Sequence, residues 1–93
     1  MYRLVIDGKS IKTKDDLYAS VSQQLPLPSW FGKNLDALYD VLTCDILPKN
    51  DVDAEITDAF SLKENLGKYA DSLIGMLSDI ADEDKRLCLK IAE

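Results

Sequence analysis

Two carboxylates one helical turn apart, Asp36 and Asp40, are the residues of this chain best spaced to do chemistry. They lie in Leu27-Pro28-Ser29-Trp30-Phe31-Gly32-Lys33-Asn34-Leu35-Asp36-Ala37-Leu38-Tyr39-Asp40-Val41-Leu42-Thr43, where an aromatic pair and a glycine lead into a short amphipathic segment. At roughly 100° per residue, Leu35, Leu38, Val41 and Leu42 share one arc of a helix, and Asp36, Tyr39, Asp40 and Thr43 share the opposite arc. Like charges at i, i+4 cost an isolated helix roughly 0.2–0.5 kcal/mol, so the pair opposes the helix that carries it. Asn34 predicts an N-cap, which places Asp36 in the first turn, where free N–H groups favour a carboxylate. Asp40 lies beyond most of that benefit, beside Tyr39, an amphipathic aromatic of the kind enriched at interfaces. The pattern alone fits either a solvated polar face or a face that binds a partner.

Catalytic alternatives find little support. The chain has no histidine, no Gly-rich phosphate loop and no evident base beside either cysteine. Paired carboxylates of the glycosidase type act across roughly 5–9.5 Å of a concave, water-excluding site, which one exposed helical turn does not supply. No catalytic residue is therefore expected. Asp51-Val52-Asp53-Ala54-Glu55-Ile56-Thr57 begins like a calcium loop, yet Ile56 stands at the required glycine and Leu62 at the bidentate glutamate, so no metal and no cofactor are expected.

Charge narrows the partner. Seventeen acidic residues against eleven basic ones give a formal charge of −6. Binding a phosphate backbone needs a basic patch, so nucleic acid is a poor partner and none is expected. An acidic small domain is steered instead towards positive surfaces, including the active sites of enzymes that bind RNA or DNA. Net charge alone also serves solubility, so its placement has to discriminate.

The elements that must position these residues follow from periodicity. Residues 2–6 form a β-branched and aromatic run closed by Asp7-Gly8, which predicts a strand. Its near-continuous apolarity predicts a central strand buried on both faces. Thr13 and Asp16 ahead of Leu17, Val21 and Leu25 predict a first helix that ends before Pro26 and Pro28. Pro48-Lys49-Asn50-Asp51 reads as a turn, and residues 52–57 alternate as a second strand with an acidic outer face. A short helix over 61–65 precedes a long amphipathic one traced by Leu66, Tyr69, Ala70, Leu73, Ile74, Leu77, Ile80 and Ala81, stopping near Asp82-Glu83-Asp84. Residues 86–91 close the chain as an alternating strand. Strands separated by helices predict a small α/β fold, a three-stranded parallel sheet with right-handed crossovers and flanking helices.

Ninety-three residues predict one domain over 1–93 with a single core. No segment approaches a membrane span, and the residues after Met1 are too short and strand-like a run for a secretory signal, so a cytoplasmic protein that does not enter membranes is expected. Cys44 and Cys88 lack metal-ligand spacing and are expected to be reduced structural thiols, with a disulfide as the alternative.

The segment that carries the carboxylates resembles the barstar family, intracellular inhibitors of barnase-type bacterial ribonucleases. The matching features are the Leu-Pro entry, the adjacent aromatics, Gly32, and Asn34-Leu35-Asp36-Ala37-Leu38 followed by an aromatic, Asp40, an apolar residue, Leu42 and Thr43. Order and spacing of the other elements agree more loosely over almost the whole chain. The resemblance implies that Asp36 and Asp40 enter the cationic active site of a barnase-like ribonuclease. It implies partner contacts for Trp30, Gly32, Asn34, Tyr39 and Thr43, with Asp79 and Glu83 as acidic contacts on the long helix; separately, a free protein that is monomeric is expected. Cys44-Asp45 departs from the family's glycine and tryptophan, so an aromatic contact is missing there. Trp30 and Phe31 are each open to a second role, as core anchors of the helix entry. A different cationic partner for the same fold is the alternative to a ribonuclease.

Overall fold

In the computed structural model, which describes all 93 residues, the chain runs β1 (Tyr2–Asp7), α1 (Lys14–Gln24), α2 (Leu35–Asp40), a π-helical segment (Val41–Ile46), β2 (Val52–Thr57), α3 (Ala59–Leu66), α4 (Lys68–Glu83) and β3 (Leu87–Ile91). Thr13 starts α1 through a capping box: its hydroxyl accepts from the Asp16 N–H at 3.1 Å, and the Asp16 carboxylate accepts from the Thr13 N–H at 3.3 Å. The helix stops at Leu25 because Pro26 has no N–H to continue it. Asp58 caps α3 in a left-handed conformation (φ 50°), which turns the chain sharply out of β2.

All three strands are parallel, in the order β1-β2-β3, with Leu4 beside Ala54 and Ala54 beside Leu89. The sheet therefore corrects one expectation. The first strand lies at an edge, the middle position belongs to β2, and β1 buries only Leu4 and Ile6 deeply. Arg3 interrupts the apolar run and Val5 is only half-buried, so the apparent two-faced strand is an alternating one. Sequential strand order with crossovers of one hand brings every helix to the same face of the sheet. On the other face Arg3 reaches the carboxylates of Asp53 at 3.8 Å and Glu55 at 3.0 Å. The segment that begins like a calcium loop is thus a strand whose acids face an arginine.

Gln24 protects the free edge of β1. Its Oε1 accepts from the Val5 N–H at 2.6 Å and its Nε2 donates to the Val5 carbonyl at 2.9 Å, so one side-chain amide pairs where another strand would dock. Inside, 22 apolar residues form a single cluster, from Leu4 and Ile6 through Leu38, Val41 and Leu42 to Leu73, Leu77 and Ile80, with no charged side chain buried among them. The Tyr18 hydroxyl enters this core and hydrogen-bonds that of Tyr69, and its burial there pushes its pKa up.

Gly75 sits exposed inside α4 with nothing within 4 Å of the place a Cβ would take. Gly75→Ala is expected to stabilise the protein by about 0.5–1 kcal/mol, since glycine loses more backbone entropy in a helix than alanine does. Urea unfolding checks it, and an unchanged or lowered midpoint would refute it.

Acid sensitivity follows from two carboxylates. Asp7 accepts from the Lys9 N–H and the Ser10 hydroxyl, both at 3.0 Å, which holds its pKa below the ordinary 3.8. Asp84 is lowered by the guanidinium of Arg86, at 2.8 and 2.9 Å, and by the Arg86 N–H. A carboxylate with a depressed folded-state pKa contributes stability above its unfolded value and loses it as pH falls through the folded one. The urea midpoint is expected to fall as pH drops below about 4, and to fall less steeply in a D7N/D84N double variant. An equally steep fall in the double variant would remove both groups from the account.

Candidate functional site

The loop ahead of α2 separates the two adjacent aromatics. The Phe31 N–H donates to the Pro28 carbonyl at 3.0 Å, and the Phe31 ring tilts against Tyr18 with centroids 5.9 Å apart, so Phe31 anchors the loop to the core. Trp30 points outward and is 76% exposed. Its indole is one of the largest apolar surfaces the chain leaves in water.

Asn34 is extended (φ −148°), and its Oδ1 accepts from the Ala37 N–H at 2.8 Å, starting α2 as the sequence predicts. Of the inward arc, Leu38, Val41 and Leu42 are buried and Leu35 half-buried. Asp36, Tyr39 and Asp40 are exposed on the outward arc. Thr43 is half-buried, and its hydroxyl donates to the Tyr39 carbonyl at 2.8 Å. Gly32 lies exposed beside the Asn34 amide, where a Cβ would stand 3.5 Å from Nδ2, an ordinary contact, so this glycine is not required by space. Asp79 and Glu83 are exposed on α4, which packs against α2, but neither lines a cavity together with the 30–45 segment.

The α2 helix does not run on through Thr43 as a regular α-helix. From Val41 to Ile46 it widens to a π-helix, and the Leu47 N–H donates to the Leu42 carbonyl, five residues back, at 2.9 Å. The reason is a change of apolar spacing: Val41-Leu42 and Ile46-Leu47 are pairs five residues apart, and all four are buried. At α-helical pitch a residue five on points about 140° away, whereas i→i+5 bonding returns it to the same side. The turn therefore sets Asp45 on the side of Asp40. Trp30, Phe31, Ala37, Asp40, Val41, Cys44 and Asp45 together line an open groove of about 410 Å³. Asp45 is the residue that α-periodicity overlooked, and the five-residue spacing of the apolar pairs was its signal.

The carboxylates of this face form no ion pair. The ion pairs of the protein are Arg3 with Asp53 and Glu55, Lys63 with Glu93, and Arg86 with Asp84. Asp36, Asp40 and Asp45 belong to none of them, and no basic residue occurs between Asn34 and Pro48. Such a face attracts cations and repels phosphate.

Neither cysteine is a core residue, which corrects the expectation of structural thiols. Both are free, Cys44 in the groove and Cys88 on the outward face of β3, because a π-turn and a strand each expose the residues that do not point to the core. Mass measurement after brief alkylation without denaturant is expected to find both thiols labelled. A thiol that reacts only after unfolding would contradict the exposure of that site.

The family model described as Barstar (barnase inhibitor) matches residues 1–92. A protein of Bacillus subtilis (strain 168) named "Putative ribonuclease inhibitor YrdF" is 32% identical over 88 residues, which span 91% of this chain and 91% of that protein. With a three-stranded parallel sheet, four α-helices and a match over nearly every residue, the chain belongs to the barstar family of barnase inhibitors.

Proposed function

We propose that this protein is a stoichiometric inhibitor of a barnase-like ribonuclease, an immunity or antitoxin protein that acts in the cytoplasm as one domain over residues 1–93. Its acidic helix enters the phosphate-binding groove of the enzyme, and Asp36 and Asp40 take the places of RNA phosphates opposite arginine and lysine. Trp30 and Tyr39 supply aromatic contact area around the carboxylates, Gly32, Asn34 and Thr43 form the rim, and Asp79 and Glu83 extend the negative surface along α4. The protein needs no turnover, metal or cofactor for this and is a monomer when free. The observation that carries the reading is a pair of exposed, unpaired carboxylates on one helix face, bordered by exposed Trp30 and Tyr39.

Physical chemistry favours that arrangement for inhibition. Uncompensated charge steers diffusional encounter with a cationic cleft, and the carboxylates become energetic centres of the interface once water is excluded. Titrating barnase with the purified protein while following RNA cleavage tests it, with loss of activity at one equivalent as the expected result. Undiminished cleavage at large excess would favour the alternative, a different cationic protein as partner. The Cys44-Asp45 departure is the observation that keeps this alternative specific, since it changes the groove beside Asp40.

A further inference from the structure

We propose that the groove between Trp30 and the π-helical turn is a socket for a single arginine side chain of the partner protein, and that Asp45 selects partners that carry one. The inference rests on the inhibitor reading for the partner's identity, but its chemistry stands on the groove. Three observations converge. Phe31, Ala37 and Val41 give the groove an apolar lining that suits the methylene stem of a long side chain. Trp30, the only tryptophan of the chain and 76% exposed, lines the same groove. The lining also includes two carboxylates, Asp40 and Asp45, and neither belongs to an ion pair of this protein.

The charge pattern decides the occupant. An apolar side chain inserted here would strip water from two carboxylates without replacing their hydrogen bonds. A lysine would neutralise one carboxylate as a point charge. A guanidinium stacks flat on an indole and offers planar donors to carboxylates at its edges, so it suits both the aromatic and the acidic residues that line this groove. Asp45 belongs to the groove because of the π-turn. On a regular α-helix it would face about 140° away from Asp40, and the two carboxylates would form no common rim. A tryptophan at this position, as in the family pattern that the chain departs from, would fill the groove with apolar area and remove half of its charge. Asp45 thus converts an aromatic contact into a cation-binding one and changes which ribonucleases fit.

Because Trp30 is the sole tryptophan, its fluorescence reports on the groove alone. The probe is N-acetyl-arginine amide, set against N-acetyl-lysine amide and the neutral isostere N-acetyl-citrulline amide. The arginine compound is expected to change Trp30 emission saturably, the lysine compound to bind more weakly and the citrulline compound not to bind. D45N and D40N are each expected to weaken arginine binding about two- to fivefold, the range for exposed ion pairs, whereas E64Q, which removes an equal charge from α3, leaves it unchanged. Equal responses to arginine and citrulline, or D45N binding like the parent, would overturn the socket. Failure is distinguishable from failure of the inhibitor reading. Inhibition of barnase without arginine binding refutes the socket alone, and arginine binding without inhibition of any ribonuclease refutes the inhibitor reading and leaves the socket standing.

Discussion

Asp40→Ala is expected to weaken inhibition of a barnase-type ribonuclease by about 2–5 kcal/mol, mostly through faster dissociation. That range is taken over from charged interfaces in general, of which the barnase–barstar complex is itself a standard worked case. Asp36→Ala is expected to cost less. Asp36 lies in the first turn of α2, where the Asn34 cap and the helix N-terminus already favour a carboxylate, so part of its role is local. Asp40 ends α2 on the exposed arc with no ion-pair partner, borders the groove with Trp30, and meets like charge at Asp36 one turn back. Its removal relieves that repulsion in the free protein and deletes a carboxylate from the complex. Folding and binding therefore respond in opposite directions, with stability unchanged within about 0.5 kcal/mol. Urea unfolding and ribonuclease inhibition measured on the same preparations separate the two. A variant that unfolds easily yet inhibits normally when folded would make Asp40 a structural residue.

The second large effect concerns folding. Gly8→Ala is expected to destabilise the protein by about 3 kcal/mol or more, the upper end of overpacking. A Cβ at this position would stand 2.0 Å from the Asp58 carbonyl oxygen and 2.9 Å from the Leu62 nitrogen, and both are backbone atoms that no rotamer change can move. The Gly8 N–H also donates to the Thr57 carbonyl at 2.8 Å, so the end of β1 is held against the start of α3 from two sides. Displacing it would disturb the cap of α3 and the turn after β1 together. The measurement is the midpoint of urea or thermal unfolding, with Gly75→Ala as the opposite control. A Gly8→Ala protein as stable as the parent would mean that this junction gives way more easily than two packed backbones should.

Much of this was legible in the chain because the signals are local. Thr13 and Asp16 name the start of α1, Pro26 its end, and Asn34 the start of α2, since a cap depends on residues within one turn of it. The exposed arc of Asp36, Tyr39 and Asp40 followed from α-helical pitch in the same way. The misplacement of β1 has a different origin. A strand's rank in a sheet depends on where two crossovers put their helices, and no residue in 2–6 encodes whether its neighbour strand lies on one side or both.

The same division applies to the site. The sequence by itself determined the acidic face: two carboxylates and a tyrosine at helical spacing must share an arc wherever that helix packs. Only the tertiary structure decided what surrounds them. Phe31 packs half-buried against the core and Trp30 stands in solvent, because Tyr18, distant in sequence, meets the ring of just one of the adjacent aromatics. Asp45 joined Asp40 because burying both Val41-Leu42 and Ile46-Leu47 against one core requires the backbone to widen by one residue. Local chemistry sets which face a residue is able to share, and packing against distant elements sets which of those faces close into a groove.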